Sequence, residues 1–256
     1  MNGVRFPTRN LGLPLAAAIA VAGIVAFPVS AHDAHGPAAA GGKPAATALP
    51  RTPEFDYEPP RAGTYRLPPL QAAADGAVLD TEGRRLRLRQ VLHGKIALLS
   101  LIYTQCGDAS GCPLATSTLL EIYDVSASDR DLAENLRLVS LSFDPARDTP
   151  AALASYAAPF KAASAADSRR RSDWTFLTTD SEATLAPILD GYDQVVQKNT
   201  STGQVFDGTF AHILQVYLID RAGRIRNIYS LSFLDPRLLI ADVKTLLMEE
   251  RRKEMQ

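Results

Sequence analysis

The chain has 256 residues, 46% hydrophobic and 21% charged, which excludes a disordered or collagen-like polymer and fits one ordinary domain with flanking segments. Lys and Arg total 27 against 28 Asp and Glu. Without a basic stripe or basic–aromatic interleaving, no nucleic acid partner is expected.

Residues 1–31 read as an export leader. Arg5 and Arg9 supply a positive start, residues 11–27 an apolar run, and Val29-Ser30-Ala31 a small-residue cleavage site. Cleavage after Ala31 leaves His32 first; the alternative is an uncleaved membrane tether through residues 11–29, near the length that spans a bilayer. No cysteine lies near the leader, which excludes a lipid anchor there. Either way the domain is expected outside the cytoplasm, periplasmic or held at the outer side of the membrane. Residues 32–63, rich in Ala, Pro and Gly, read as a flexible linker. The folded domain is expected over residues 64–256.

Strands and helices then alternate. Residues 96–103 form a continuous apolar run of strand length, the pattern of a strand buried on both faces. Residues 113–125 carry leucines at helical spacing, and residues 136–143 read as a second strand. Asp148-Thr149-Pro150 supplies a cap and a first-turn proline for a helix reaching residue 160. A short strand over 174–178 precedes a helix capped at Asp180-Ser181 and running to about residue 192, against which Pro187 argues locally. Residues 214–219 and 224–230 flank Asp220-Arg-Ala-Gly223 as a hairpin, and residues 236–253 make a last helix. This order predicts a single α/β domain of the thioredoxin type, a central mixed sheet flanked by helices.

Both cysteines lie in Cys106-Gly-Asp-Ala-Ser-Gly-Cys112-Pro113, between the buried strand and the next helix. A lone close pair in an oxidising compartment is a structural disulfide, a redox couple or a soft-metal site. A bridge this local constrains the unfolded chain little, and the strand–loop–helix edge is where α/β sheets place their sites. Pro113 at the first helical position predicts Cys112 at the N-cap, where backbone amides and the helix dipole favour thiolate. Two glycines in the spacer let the sulfurs converge. His212, expected at the start of a strand, by itself reads as a partly buried histidine.

Three blocks together resemble the SCO/SenC copper proteins. They are Tyr103-Thr104 with the cysteine loop and Cys112-Pro113-Leu114; Ser142-Phe-Asp144-Pro145-Ala-Arg147-Asp148-Thr149-Pro150; and His212 followed by Tyr217-Leu218-Ile219-Asp220. The resemblance covers roughly residues 76–247. It departs from the family pattern twice. Five residues separate the cysteines where three are usual, and Ala211 stands where an acidic residue often precedes the histidine.

The resemblance implies a metal site of Cys106, Cys112 and His212. Two thiolates and an imidazole form a soft three-donor set suited to Cu(I) and able to hold Cu(II), one copper per domain, whereas zinc favours a fourth ligand. It further implies a copper chaperone rather than an enzyme, delivering to, or priming the thiols of, an exported or membrane-bound copper enzyme such as the dinuclear copper centre of cytochrome c oxidase. The alternative is a periplasmic thiol–disulfide oxidoreductase using Cys106 and Cys112 as a redox-active pair. Against it stand the absence of Cys-x-x-Cys and of any proline between Phe206 and Asp220. A thiol peroxidase lacks its usual motif here. Asp144 and Arg147 are expected to steady their loop by an ion pair. His32 and His35 read as tail residues with an accessory copper site as the alternative, and Arg169-Arg-Arg171 as a solvated loop.

Overall fold

A computed structural model describes residues 55–165 and 169–256. The leader and most of the expected linker, with His32 and His35, lie outside the described residues. Chain order is β1 (Gln71–Ala72), β2 (Ala77–Asp80), β3 (Arg85–Arg87), α1 (Leu88–Leu92), β4 (Ile96–Ile102), α2 (Cys112–Ser126), α3 (Arg130–Asn135), β5 (Leu136–Ser142), α4 (Pro150–Ala165), β6 (Asp173–Thr178), α5 (Glu182–Gly191), β7 (Val196–Thr200), β8 (Phe206–His212), β9 (Gln215–Ile219), β10 (Arg224–Ser230) and α6 (Pro236–Glu254). One mixed sheet runs β1-β10-β9-β4-β5-β6-β2-β3, and β7-β8 forms a separate hairpin.

The apolar run of β4 is buried at all seven positions. Its neighbours explain why: β5 pairs with it in parallel and β9 antiparallel, while α2 packs against it. Each fully buried Leu or Ile here contributes about 1.5–3 kcal/mol of apolar transfer energy. β4, β5 and β6 run parallel through the centre of the sheet, and α4 packs on β6. The β9–β10 hairpin turns at Gly223, whose φ of +77° is left-handed backbone that glycine adopts without strain. This is the thioredoxin-like order expected from the sequence.

The expected places of His212 and Arg171 need correction. His212 does not begin a strand; it ends β8, paired across the hairpin with Val196. Arg171 does not lie free in solvent: its side chain is 9% exposed, ion-paired with Asp124 and set over the Tyr123 ring. The chain is also already packed at Phe55, inside the segment expected as linker. Phe55 is buried, and its carbonyl, like that of Tyr57, accepts from Arg237 at the start of α6.

Candidate metal centre

β4 and β5 end side by side, with Phe143 N donating to Ile102 O. The segments after them, Tyr103 to Gly111 and Phe143 to Thr149, form the floor of the site. Asp148, 1% exposed, ties the two together. It accepts from Thr104 N at 2.9 Å, from the Thr104 hydroxyl, and from Ser142 Oγ at 2.6 Å. The cysteine loop folds back on itself through Asp108, whose carboxylate accepts from Ser110 N and whose carbonyl accepts from Gly111 N. Space is tight at Gly111: a Cβ there would sit 3.2 Å from both Cys106 Sγ and Asp108 O.

Helix α2 starts one residue earlier than Pro113 led us to expect. Gly111 is the N-cap and Cys112 the first helical residue, with the proline in the first turn. Cys112 is buried and Cys106 half-buried; both are free thiols. Cys112 Sγ accepts from Tyr103 N at 3.4 Å. Burial acts against the thiolate preference expected from the helix start. Burial pushes the Cys112 thiol well above its ordinary value, and the backbone amides of Tyr103 and Cys112 only partly oppose it. Beside it, burial and then Cys106 push the Tyr103 phenol up to about 12.

The β7–β8 hairpin delivers the third donor. His212 Nε2 lies 3.7 Å from Cys112 Sγ. The three donor atoms of Cys106, Cys112 and His212 all lie within 4.8 Å of one another. Burial holds the imidazole below its ordinary pKa, opposed by the Ile213 backbone and then Asp108, so the ring is neutral and its nitrogen able to ligate at neutral pH. The other ring nitrogen, Nδ1, is buried with no aligned hydrogen-bond partner among the described residues. The ring is instead packed against Phe143 and Tyr103, at centroid distances of 4.8 and 6.2 Å.

These separations fit one ion. Metal–sulfur bonds of about 2.3 Å and a metal–nitrogen bond of about 2.0 Å in trigonal geometry set donors roughly 3.7 Å (S···N) and roughly 4.0 Å (S···S) apart. The five-residue spacer therefore still brings both sulfurs to the imidazole. The donor set is soft, with Cys112 buried and Cys106 and His212 half-buried.

The SCO1/SenC family model matches residues 73–248, which include all three donors and both loops. The chain belongs to the SCO1/SenC family. Among solved structures, copper-bound ScoI of Bradyrhizobium japonicum is 26% identical over 68% of this chain and 98% of its own, with a TM-score of 0.53. Copper-bound yeast Sco1 is 20% identical over 73% of this chain and 96% of its own, TM-score 0.53. BsSco, a member of the Sco family of cytochrome c oxidase assembly proteins with a disulfide switch, is 23% identical over 73% and 97%, TM-score 0.51. The latter two likenesses speak to the fold alone. No curated protein sequence matches the chain.

The expected ion pair between Asp144 and Arg147 is present. What sequence reasoning missed is the aromatic support of His212. Its signal was Phe206-x-Gly208-x-Phe210-x-His212, a period of two that puts these residues on one face of a strand.

Proposed function

We propose that this SCO1/SenC protein binds one copper ion through Cys106, Cys112 and His212 and hands it to an acceptor outside the cytoplasm. The observation that carries the reading is the convergence of those three donor atoms, from the cysteine loop, the α2 start and the β8 end, within 4.8 Å of one another. Two soft sulfurs and one neutral imidazole favour Cu(I) and also accommodate Cu(II). When bound, copper is the cargo; the residues supply a site with one buried donor, Cys112, and two half-buried ones, Cys106 and His212. The leader in residues 1–31 supports export, either as a cleaved signal or as a tether through residues 11–29. Among the described residues no helix is long and apolar enough to cross a membrane. The acceptor in this reading is a respiratory copper enzyme, the dinuclear centre of cytochrome c oxidase first, in keeping with the assembly role stated for BsSco.

Titrating the reduced protein against a competing Cu(I) chelator tests the reading. Tight one-to-one binding is expected that requires both cysteines and weakens in His212→Ala. Binding unaffected by Cys106→Ser/Cys112→Ser would refute it.

A second reading rests on the two free thiols, one half-buried and one buried, set side by side. In that reading the pair reduces a disulfide of the acceptor, Cys106 attacking and Cys112 resolving. Two electrons pass to the acceptor cysteines as the Cys106–Cys112 bridge forms. Reduction that persists in His212→Ala would favour it over metal transfer.

A further inference from the structure

A metal-ligating histidine usually donates its second ring nitrogen to a carboxylate or carbonyl that fixes the ring. In His212, Nδ1 is buried with no aligned hydrogen bond among the described residues, and the Ile213 backbone acts on the ring. Its orientation rests on packing against Phe143 and Tyr103. Both rings in turn meet Phe210, at 5.5 and 5.0 Å, and Phe210 meets Phe206 at 5.1 Å.

The guanidinium of Arg147 faces this aromatic group. Its carbon lies 5.1 Å from the Phe206 centroid, 5.5 Å from Phe210 and 5.9 Å from Tyr103. Asp144, 4% exposed at its side chain, anchors Nε by an ion pair, and Nη1 donates to Gln105 Oε1 at 3.2 Å. Gln105 directly precedes Cys106. The hairpin makes room for the same group. Gly208 has φ of +91°, and a Cβ there would sit 3.2 Å from Arg147 Nη1. One guanidinium therefore touches the cysteine loop, the loop after β5, and the β8 face that ends in His212.

We infer that Arg147 is a positioning residue that holds the His212 imidazole in ligating geometry, acting through Phe206, Phe210 and Tyr103. The inference rests on the three-donor site proposed above. A lysine cannot replace it: its ammonium reaches Asp144 but offers neither a planar face for the rings nor a second N–H for Gln105.

The test uses the purified protein and two variants, Arg147→Lys and Phe206→Leu, with folding checked by thermal melting. In the metal-free protein the His212 ring protons are shifted by the ring currents of Phe143 and Tyr103. Both variants are expected to move those resonances toward ordinary histidine positions. In competition titrations Arg147→Lys is expected to weaken Cu(I) binding about 10–100-fold. In the His212→Ala background the same change is expected to cost less than about twofold, because the coupled partner is already gone. Unchanged His212 resonances in the folded variants, or an equal loss of affinity with and without His212, would overturn the inference. If Arg147→Lys does not fold, Phe206→Leu decides alone. If the parent protein binds no copper, the metal-site reading fails while the ring-proton shifts still decide the role of Arg147.

Discussion

Replacing Asp148 tests whether the floor of the site depends on a single buried carboxylate. That carboxylate accepts three hydrogen bonds, from Thr104 N, the Thr104 hydroxyl and Ser142 Oγ, and is 1% exposed. Bonds to a charged acceptor contribute about 1.5–3 kcal/mol each, and they are not additive within one network. Asp148→Ala leaves three donors without partners and is expected to cost about 3–6 kcal/mol. Asp148→Asn keeps an oxygen where Thr104 N and Ser142 Oγ converge, and its amide donates to a rotated Thr104 hydroxyl. It is expected to lose about 1–2 kcal/mol, chiefly the charge assistance. For a domain of this size those losses correspond to drops in melting temperature of about 6–24 °C and about 2–8 °C. Thermal melts of metal-free protein followed by circular dichroism read both. Equal melting temperatures for Asp148→Ala and Asp148→Asn would refute the reasoning, because they would mean that the three donors find other partners.

Iodoacetamide at pH 8 is expected to modify Cys106 well before Cys112, since the first is half-buried and the second is buried with its thiol pushed up; peptide mass mapping reads the order, and equal rates would contradict it. His212 carries a depressed folded pKa, so the unfolded chain binds the extra proton first and the folded state loses stability as pH falls below about 6.5. Relative to the parent, metal-free His212→Ala should therefore gain stability between pH 7 and pH 5 in urea unfolding, and parallel pH slopes would exclude the buried neutral ring. Leu101→Ala removes a side chain 1% exposed in β4, opposite Leu141 of β5, and is expected to lower stability by about 3–5 kcal/mol with an unchanged denaturant slope. A loss under about 1 kcal/mol would mean that the cavity collapses.

The parts of the fold that were legible in the sequence are those whose burial pattern is local. β4 showed itself as an apolar run broken only by Ser100 because β5 and β9 cover both its edges and α2 packs against it. Ser181 was recognisable as a cap, and its side chain does accept from Thr184 N. The β7–β8 hairpin was not legible. Val196-Gln-Lys-Asn-Thr200 exposes most of its residues, and β8 alternates with Gly208 and His212 in place of apolar residues. That gap shifted the expected position of His212 from the end of one strand to the start of the next. The burial of Cys112 was not legible for a related reason. Its place beside a proline was local and visible, but the burial that dominates its thiol comes from tertiary packing. The aromatic support under His212 joins Tyr103, Phe143 and Phe210, from three separate segments, and only the fold brings them together.

X-ray absorption at the copper edge, on the reduced protein loaded with one equivalent of Cu(I), tests the three-donor site most directly. The site described here predicts two sulfur scatterers and one imidazole nitrogen, with the imidazole signal lost in His212→Ala and both sulfurs retained. Sulfur-only coordination in the parent, or an imidazole signal that survives removal of His212, would contradict it.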